Sequence, residues 1–98
     1  MAKFKIIRTK TFIKTYKNLS PKIQDEVDFV LEKLEKGEKL DPKYKDHALK
    51  GNLKGLRDCH IRFDLVLIYE IDEEILILSV LRIGKHSEVF KWRLKLKI

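Results

Sequence analysis

Cysteine, long apolar runs and metal-ligand spacings are what this chain lacks. A single cysteine, Cys59, stands in 98 residues, so no internal disulfide forms and a reducing compartment, the cytoplasm, is expected. The longest apolar runs, Leu65 to Tyr69 and Ile75 to Leu78, are far too short to span a bilayer, so no membrane is expected as a partner. The first residues, Met-Ala-Lys-Phe-Lys-Ile-Ile-Arg, are interrupted by charge and hold no apolar signal core. No His-x-x-x-His or Cys-x-x-Cys spacing is present, and no glycine loop of the kinds that cradle phosphates. No metal and no cofactor is expected. Neither a repeat nor a linker divides the chain, and two domains would each be too small for a core. The expectation is one domain over residues 1–98, ending in a basic tail over 91–98.

Positive charge is abundant. Lysine and arginine number 22 against 15 aspartates and glutamates, for a net charge of +7. Basic proteins of this size favour RNA, DNA, anionic membranes or acidic proteins, and charge alone does not choose among them.

Phe4 to Ile7 is a short strand candidate. From Thr9 to Leu19, Phe12, Tyr16 and Leu19 recur at helical spacing with Ile13 beside them, and Lys10, Lys14 and Lys17 take the other side. Ser20 is an N-cap and Pro21 suits the first helical position. Ile23, Val27, Val30, Leu31 and Leu34 then mark one face of a second helix, which Gly37 stops. The pair reads as a helical hairpin packed on a sheet. Residues 37–51 read as a long loop in which Tyr44 interleaves with lysines, a composition that suits a nucleic-acid backbone.

Strands follow. Cys59, Ile61, Phe63, Leu65, Leu67, Tyr69 and Ile71 alternate with Asp58, His60, Arg62 and Asp64, which predicts a core face and an open face. By this alternation Phe63 belongs to the core, and Phe63→Asp is expected to be badly destabilising. The run is too long for one strand, so a tight turn is expected near Arg62-Phe63-Asp64, bringing Asp64 back towards His60. Asp72-Glu73-Glu74 forms the next turn, and Ile75 to Arg82 a further strand, apolar on both faces. Gly84 is expected to break it, with Ser87 capping a short final turn. The fold class is therefore α+β: an N-terminal strand, a helical hairpin, then a mostly antiparallel sheet of three further strands.

The three histidines, His47, His60 and His86, all lie in the second half, each near acidic or basic neighbours. RNA cleavage without a metal needs a base for the 2′-hydroxyl proton, an acid for the leaving 5′-oxygen, and cations for the extra phosphorane charge. Histidine suits the proton work and arginine or lysine the charge work. Asp58 and Asp64 add bases or orienters. Lys54, Arg57, Arg62, Arg82 and Lys85 are candidate cations, and Lys45 and Lys50 join them as candidate RNA contacts. Cys59 points into the core on this pattern, where a thiol is inert.

The stretches Tyr44-Lys45-Asp46-His47-Ala48-Leu49-Lys50-Gly51, Gly55-Leu56-Arg57-Asp58-Cys59-His60-Ile61, Asp64-Leu65-Val66-Leu67-Ile68-Tyr69 and Arg82-Ile83-Gly84-Lys85-His86-Ser87-Glu88-Val89-Phe90 resemble the YafQ-type branch of the RelE/ParE toxin superfamily. The resemblance implies a toxin of a type II toxin–antitoxin system, a ribosome-dependent endoribonuclease that cleaves mRNA in the A site. It implies mRNA and the ribosome, including 16S rRNA, as partners, with a cognate antitoxin that covers or distorts the site and operator DNA only through the antitoxin complex. The active residues correspond to His47, Asp58, His60, Asp64, His86 and Phe90. By that analogy Asp64 and His86 share the base and acid roles, with His86 as the acid, His47 and His60 hold the scissile phosphate, and Phe90 stacks on a base. Two departures stand out: Phe63 where a proline often precedes the aspartate, and the basic tail after Phe90. That tail could bind rRNA, extend the sheet or contact the antitoxin. The competing readings are a ParE-like poison of DNA gyrase, which needs no histidine set, and a non-catalytic RNA- or protein-binding module of the same fold.

Overall fold

The computed structural model describes residues 2–89; Phe90 and the tail 91–98, with the roles the sequence gives them, lie outside the described residues. In chain order the elements are β1 (Lys5–Arg8), α1 (Lys10–Tyr16), α2 (Pro21–Glu35), β2 (His47–Ala48), β3 (Arg57–Arg62), β4 (Leu65–Asp72) and β5 (Ile77–Lys85). The five strands form one sheet in the order β1-β5-β4-β3-β2. β1 runs parallel to β5 and every other pairing is antiparallel, the α+β arrangement expected.

Both helices begin at the side chains that capping predicts. The Thr9 hydroxyl oxygen accepts from the Phe12 amide and the Ser20 hydroxyl oxygen from the Ile23 amide, with Pro21 opening α2. Gly37 follows α2 with φ 77°, a left-handed conformation that glycine adopts without strain. The apolar faces of the helices, Phe12 on α1 and Val27, Val30, Leu31 and Leu34 on α2, pack with Phe4 against one face of the sheet. There they meet Cys59, Leu67, Tyr69, Leu78, Val80 and Ile83.

Alternation along β3 and β4 holds for Cys59, Ile61, Leu67 and Tyr69, all buried on the helix side. It fails at Phe63, which is 99% exposed. Phe63 and Asp64 form the hairpin turn, and the register against β4 shifts between His60 and Arg62, so Phe63 stands outside the pleat that sets the faces. An aspartate at this position would stand in water, so Phe63→Asp carries none of the burial cost expected of it. Asp58 departs in the other direction. It was expected on an open face and is only 2% exposed. The face away from the helices carries its own apolar cluster of Val66, Ile68 and Val89, flanked by Leu49, Leu56 and Leu81, and this cover takes Asp58 out of water.

Three further expectations are corrected. Ile75 and Leu76 are exposed in the β4–β5 turn, where Leu76 has φ 55°, and β5 starts at Ile77. β5 runs through Gly84, which pairs with Val66, to Lys85, because a glycine flanked by strand partners on a close-packed face need not end the ladder. The last turn starts at His86, so Ser87 lies inside it and does not cap it. The segment read as a loop holds a short 3₁₀ turn at Pro42–Tyr44, the extra strand β2, and a second 3₁₀ turn at Gly51–Leu53. Tyr44 belongs to the core, with the Lys43 ammonium 5.2 Å from its ring centre.

Candidate active site

The sheet face away from the helices is assembled by one irregularity. Along β5, Val80 pairs with Tyr69 but Arg82 pairs with Ile68, so Leu81 is an extra residue, a β-bulge. Leu78 and Val80 before it, and Ile83 after it, all belong to the helix-side core. Arg82 and Gly84 consequently fall on the opposite face, where strict alternation would have turned them into that core. Thr9 fastens the bulge. Its hydroxyl donates to the Leu81 carbonyl at 2.6 Å and its amide donates to the Val80 carbonyl at 3.1 Å, while the same hydroxyl oxygen caps α1. Gly84 also lets the closing turn fold back. A Cβ at this position would stand 3.2 Å from Val89 Cγ1, and Val89 fills the cluster of Val66 and Ile68.

Strand register then aligns the sequence-predicted residues in rows. His47 on β2 lies opposite Asp58 on β3, Asp58 opposite Ile68, and Ile68 opposite Arg82. The next row is His60, Val66 and Gly84. Leu65 pairs with Lys85, the last pair of this ladder; Asp64 precedes it in the β3–β4 turn and His86 follows it at the start of the closing turn. The rings of His60 and His86 are 6.3 Å apart, inclined at 46°. Asp64 itself lies exposed in the hairpin turn and makes no hydrogen bond or ion pair among the described residues, so no bond joins it to His60, which pairs with Val66.

His47 Nδ1 lies 2.7 Å from the Lys45 carbonyl and 3.0 Å from Asp58 Oδ1. A carbonyl only accepts, so Nδ1 carries the hydrogen and Nε2 is the atom left to face a substrate. That hydrogen is directed to Lys45, and Asp58 Oδ1 is left buried without a hydrogen bond. Burial pushes the Asp58 carboxyl above the ordinary aspartate range. The charges of His47, His60 and His86 pull it back and that of Asp46 adds to the rise. Asp58 thus touches His47 and lies one row from His60, whose ring neighbours that of His86.

The family described as bacterial toxin of type II toxin-antitoxin system, YafQ, matches residues 4–91. The chain belongs to the YafQ family. It is 51% identical over 51 residues to a Haemophilus influenzae protein named as a YafQ toxin, a match covering 50% of each chain. It is 43% identical over 47 residues to the mRNA interferase toxin YafQ of Escherichia coli K12, covering 48% of this chain and 49% of the relative. The chain thus spans about half the length of the curated relatives it matches. The crystal structure of YafQ from E. coli BL21(DE3) superposes with a TM-score of 0.78 at 27% identity, over 89% of this chain and 98% of that one. A copper-bound mutant toxin from Helicobacter pylori gives 0.76 at 36% identity, over 89% and 99%. E. coli YafQ in its toxin–antitoxin complex with DinJ gives 0.78 at 27%, over 90% and 98%.

In this YafQ-family chain no group of three or more histidines, cysteines, aspartates or glutamates among the described residues is arranged to hold a metal ion. Two of the predicted cations have carboxylate partners close by. Arg57 is committed beneath the site: its Nε and Nη2 donate to Asp46 at 3.3 and 3.1 Å, and the buried Tyr69 hydroxyl donates to the same carboxylate. Arg62 is held by Glu26 through two bonds of 2.5 and 2.7 Å. Lys45, Lys50, Lys54 and Lys85 are exposed, and Arg82 sits in the row of Asp58. Sequence reasoning missed Asp46 as the hub that anchors β2 to β3 and β4; its position beside His47 was the visible sign. Cys59 is fully buried, and burial pushes its thiol far up, so it is no nucleophile.

Proposed function

We propose that this YafQ-family chain is the toxin of a type II toxin–antitoxin system and acts as a ribosome-dependent, metal-independent endoribonuclease on translated mRNA. The observation that carries the proposal is the grouping of the three histidines beside the buried Asp58, with His47 3.0 Å from its carboxylate, His60 in the next row and the His86 ring 6.3 Å from that of His60, on a face that also holds Arg82. The E. coli relative, named an mRNA interferase, supports the same reading.

In the proposed reaction the 2′-oxygen attacks the neighbouring phosphorus as a base removes its proton. The P–O5′ bond breaks and an acid protonates the departing 5′-oxygen, leaving a 2′,3′-cyclic phosphate and a 5′-hydroxyl. Asp64 and His86, which flank the last pair of the β4–β5 ladder in the chain, divide the base and acid roles, with His86 as the acid. His60, one ring away from His86, and His47 through Nε2 stabilise the phosphorane charge together with Arg82. Asp58 is the fixed negative charge that holds the histidine cluster together, and Phe90 stacks on a base. Lys45, Lys50, Lys54 and Lys85 guide the RNA backbone. The E. coli relative forms a complex with DinJ; a cognate antitoxin that covers the histidine face is the corresponding partner here.

The test is to add the purified protein to a defined message, alone and on programmed ribosomes, and to map and chemically identify the new ends. Cuts that require the ribosome and carry 5′-hydroxyl ends are expected. Cuts carrying 5′-phosphates would contradict the 2′-hydroxyl mechanism. An intact message with gyrase supercoiling blocked would support a gyrase poison, and an intact message with neither effect a binding module.

A further inference from the structure

Phe63 does nothing for the fold. The β3–β4 ladder closes at Arg62 and Leu65, and the core is complete without this ring, which is 99% exposed. It does, however, line a groove of about 550 Å³ together with Lys43, Tyr44, Lys45, His60, Ile61 and Arg62, Tyr44 and Ile61 being nearly buried at its floor. The volume lies in the range of sites that hold small ligands. The groove includes His60, so it begins at the histidine cluster. It also includes Lys45, whose carbonyl holds His47 Nδ1 at 2.7 Å and whose left-handed backbone, φ 49°, turns the chain there.

Charge identifies the ligand class. Glu26 also borders the groove, but Arg62 is bound to it through two hydrogen bonds, and this pair is balanced. Lys43 and Lys45 supply the remaining full charge, both positive and both exposed. The other exposed large apolar side chains, Ile7, Phe29, Ile75 and Leu76, do not line the groove. A protein-docking surface gathers apolar side chains into a patch, whereas an isolated ring beside cations matches how single strands are bound, by stacking on the base and charge on the backbone.

We propose that this groove is a subsite for the nucleotide adjoining the scissile phosphate, with Phe63 stacking on its base and Lys43 and Lys45 binding its phosphate. The inference rests on the nuclease reading and adds a substrate contact to it. Phe63 touches substrate without taking part in proton transfer, so its loss affects binding and the choice of neighbouring base.

The experiment compares wild type, Phe63→Ala and Phe63→Trp on programmed ribosomes. It also follows the Phe63 ring protons by NMR as a short single-stranded oligoadenylate is added. Phe63→Ala is expected to raise KM about tenfold with kcat kept, and Phe63→Trp to restore it, since any flat ring stacks. An upfield ring-current shift of Phe63 should accompany oligonucleotide binding. Unchanged KM in Phe63→Ala would overturn the subsite. So would a variant that cleaves normally and loses only affinity for its antitoxin, which would make the ring a protein contact. If wild type cleaves no message, the nuclease reading fails by itself. The NMR arm then decides the groove alone: a ring-current shift keeps it as an RNA site, and no shift overturns it.

Discussion

Asp58 is the residue on which chemistry and stability pull apart. Its carboxyl is buried, lacks a hydrogen bond at Oδ1, and has its pKa raised by that burial against the opposing charges of three histidines. A raised carboxyl pKa in the folded state means that the native protein binds the proton more tightly than the unfolded chain. Ionised Asp58 is therefore a cost that grows as pH rises from about 4, the ordinary aspartate value, through the folded pKa. Asp58→Asn is expected to melt at or above the wild-type temperature at neutral pH, with the advantage gone near pH 4, while cleavage falls about tenfold or more. Melting curves at the two pH values and a cleavage assay check both halves. Tyr69 shows the contrary case of a polar group that serves the fold. Tyr69→Phe removes the hydroxyl that donates to Asp46 and is expected to cost about 1–2 kcal/mol in urea unfolding. The candidate histidines stood out because the chain has only three, whereas Asp58 and Asp64 are two of several aspartates and were singled out by their places in the strand pattern. What was not legible was which carboxylates hold which cations: nothing in the sequence says that Arg57 answers to Asp46 and Arg62 to Glu26, since those partners are fixed only by tertiary packing.

At the scale of elements, the bulge at Leu81 and the closing turn place the chemistry. Helices were readable because capping and apolar spacing are local, and Ser20-Pro21 needed no distant partner. The bulge was not readable. The run Leu76-Ile77-Leu78 and the residues after it are apolar on both faces, so periodicity carries no register there, and Gly84 looked like a stop when its function is to leave room for Val89. Gly84→Ala should force Val89, and the turn that starts at His86, outward by a few tenths of an ångström. The expected outcome is a loss of about 1 kcal/mol in stability with cleavage down about tenfold, measured on one preparation. Phe63 marks the opposite error, where a turn residue was assigned to a face by counting through the turn. Phe63→Asp should now leave unfolding within about 0.5 kcal/mol of wild type. A large drop in its urea midpoint would mean that the ring is buried after all.

For the whole molecule, the net charge of +7 is distributed so that the histidine face and the groove beside it keep exposed lysines after Arg57 and Arg62 have found internal partners. Association with ribosome-bound message should therefore weaken steeply with salt, roughly fiftyfold between 50 and 200 mM for about four phosphate contacts. A flat salt dependence of KM would argue that the charge serves solubility alone. The helix-side core carries the stability and the opposite face carries the polar cluster, so a change at exposed His86 should leave the core untouched. The measurement that bears most directly on the account is the single-turnover rate of message cleavage on programmed ribosomes for wild type and His86→Ala, with melting curves of both. If His86 is the acid, the variant's rate is at least about a hundredfold lower with an unchanged melting curve. Equal rates in the two proteins would contradict that role.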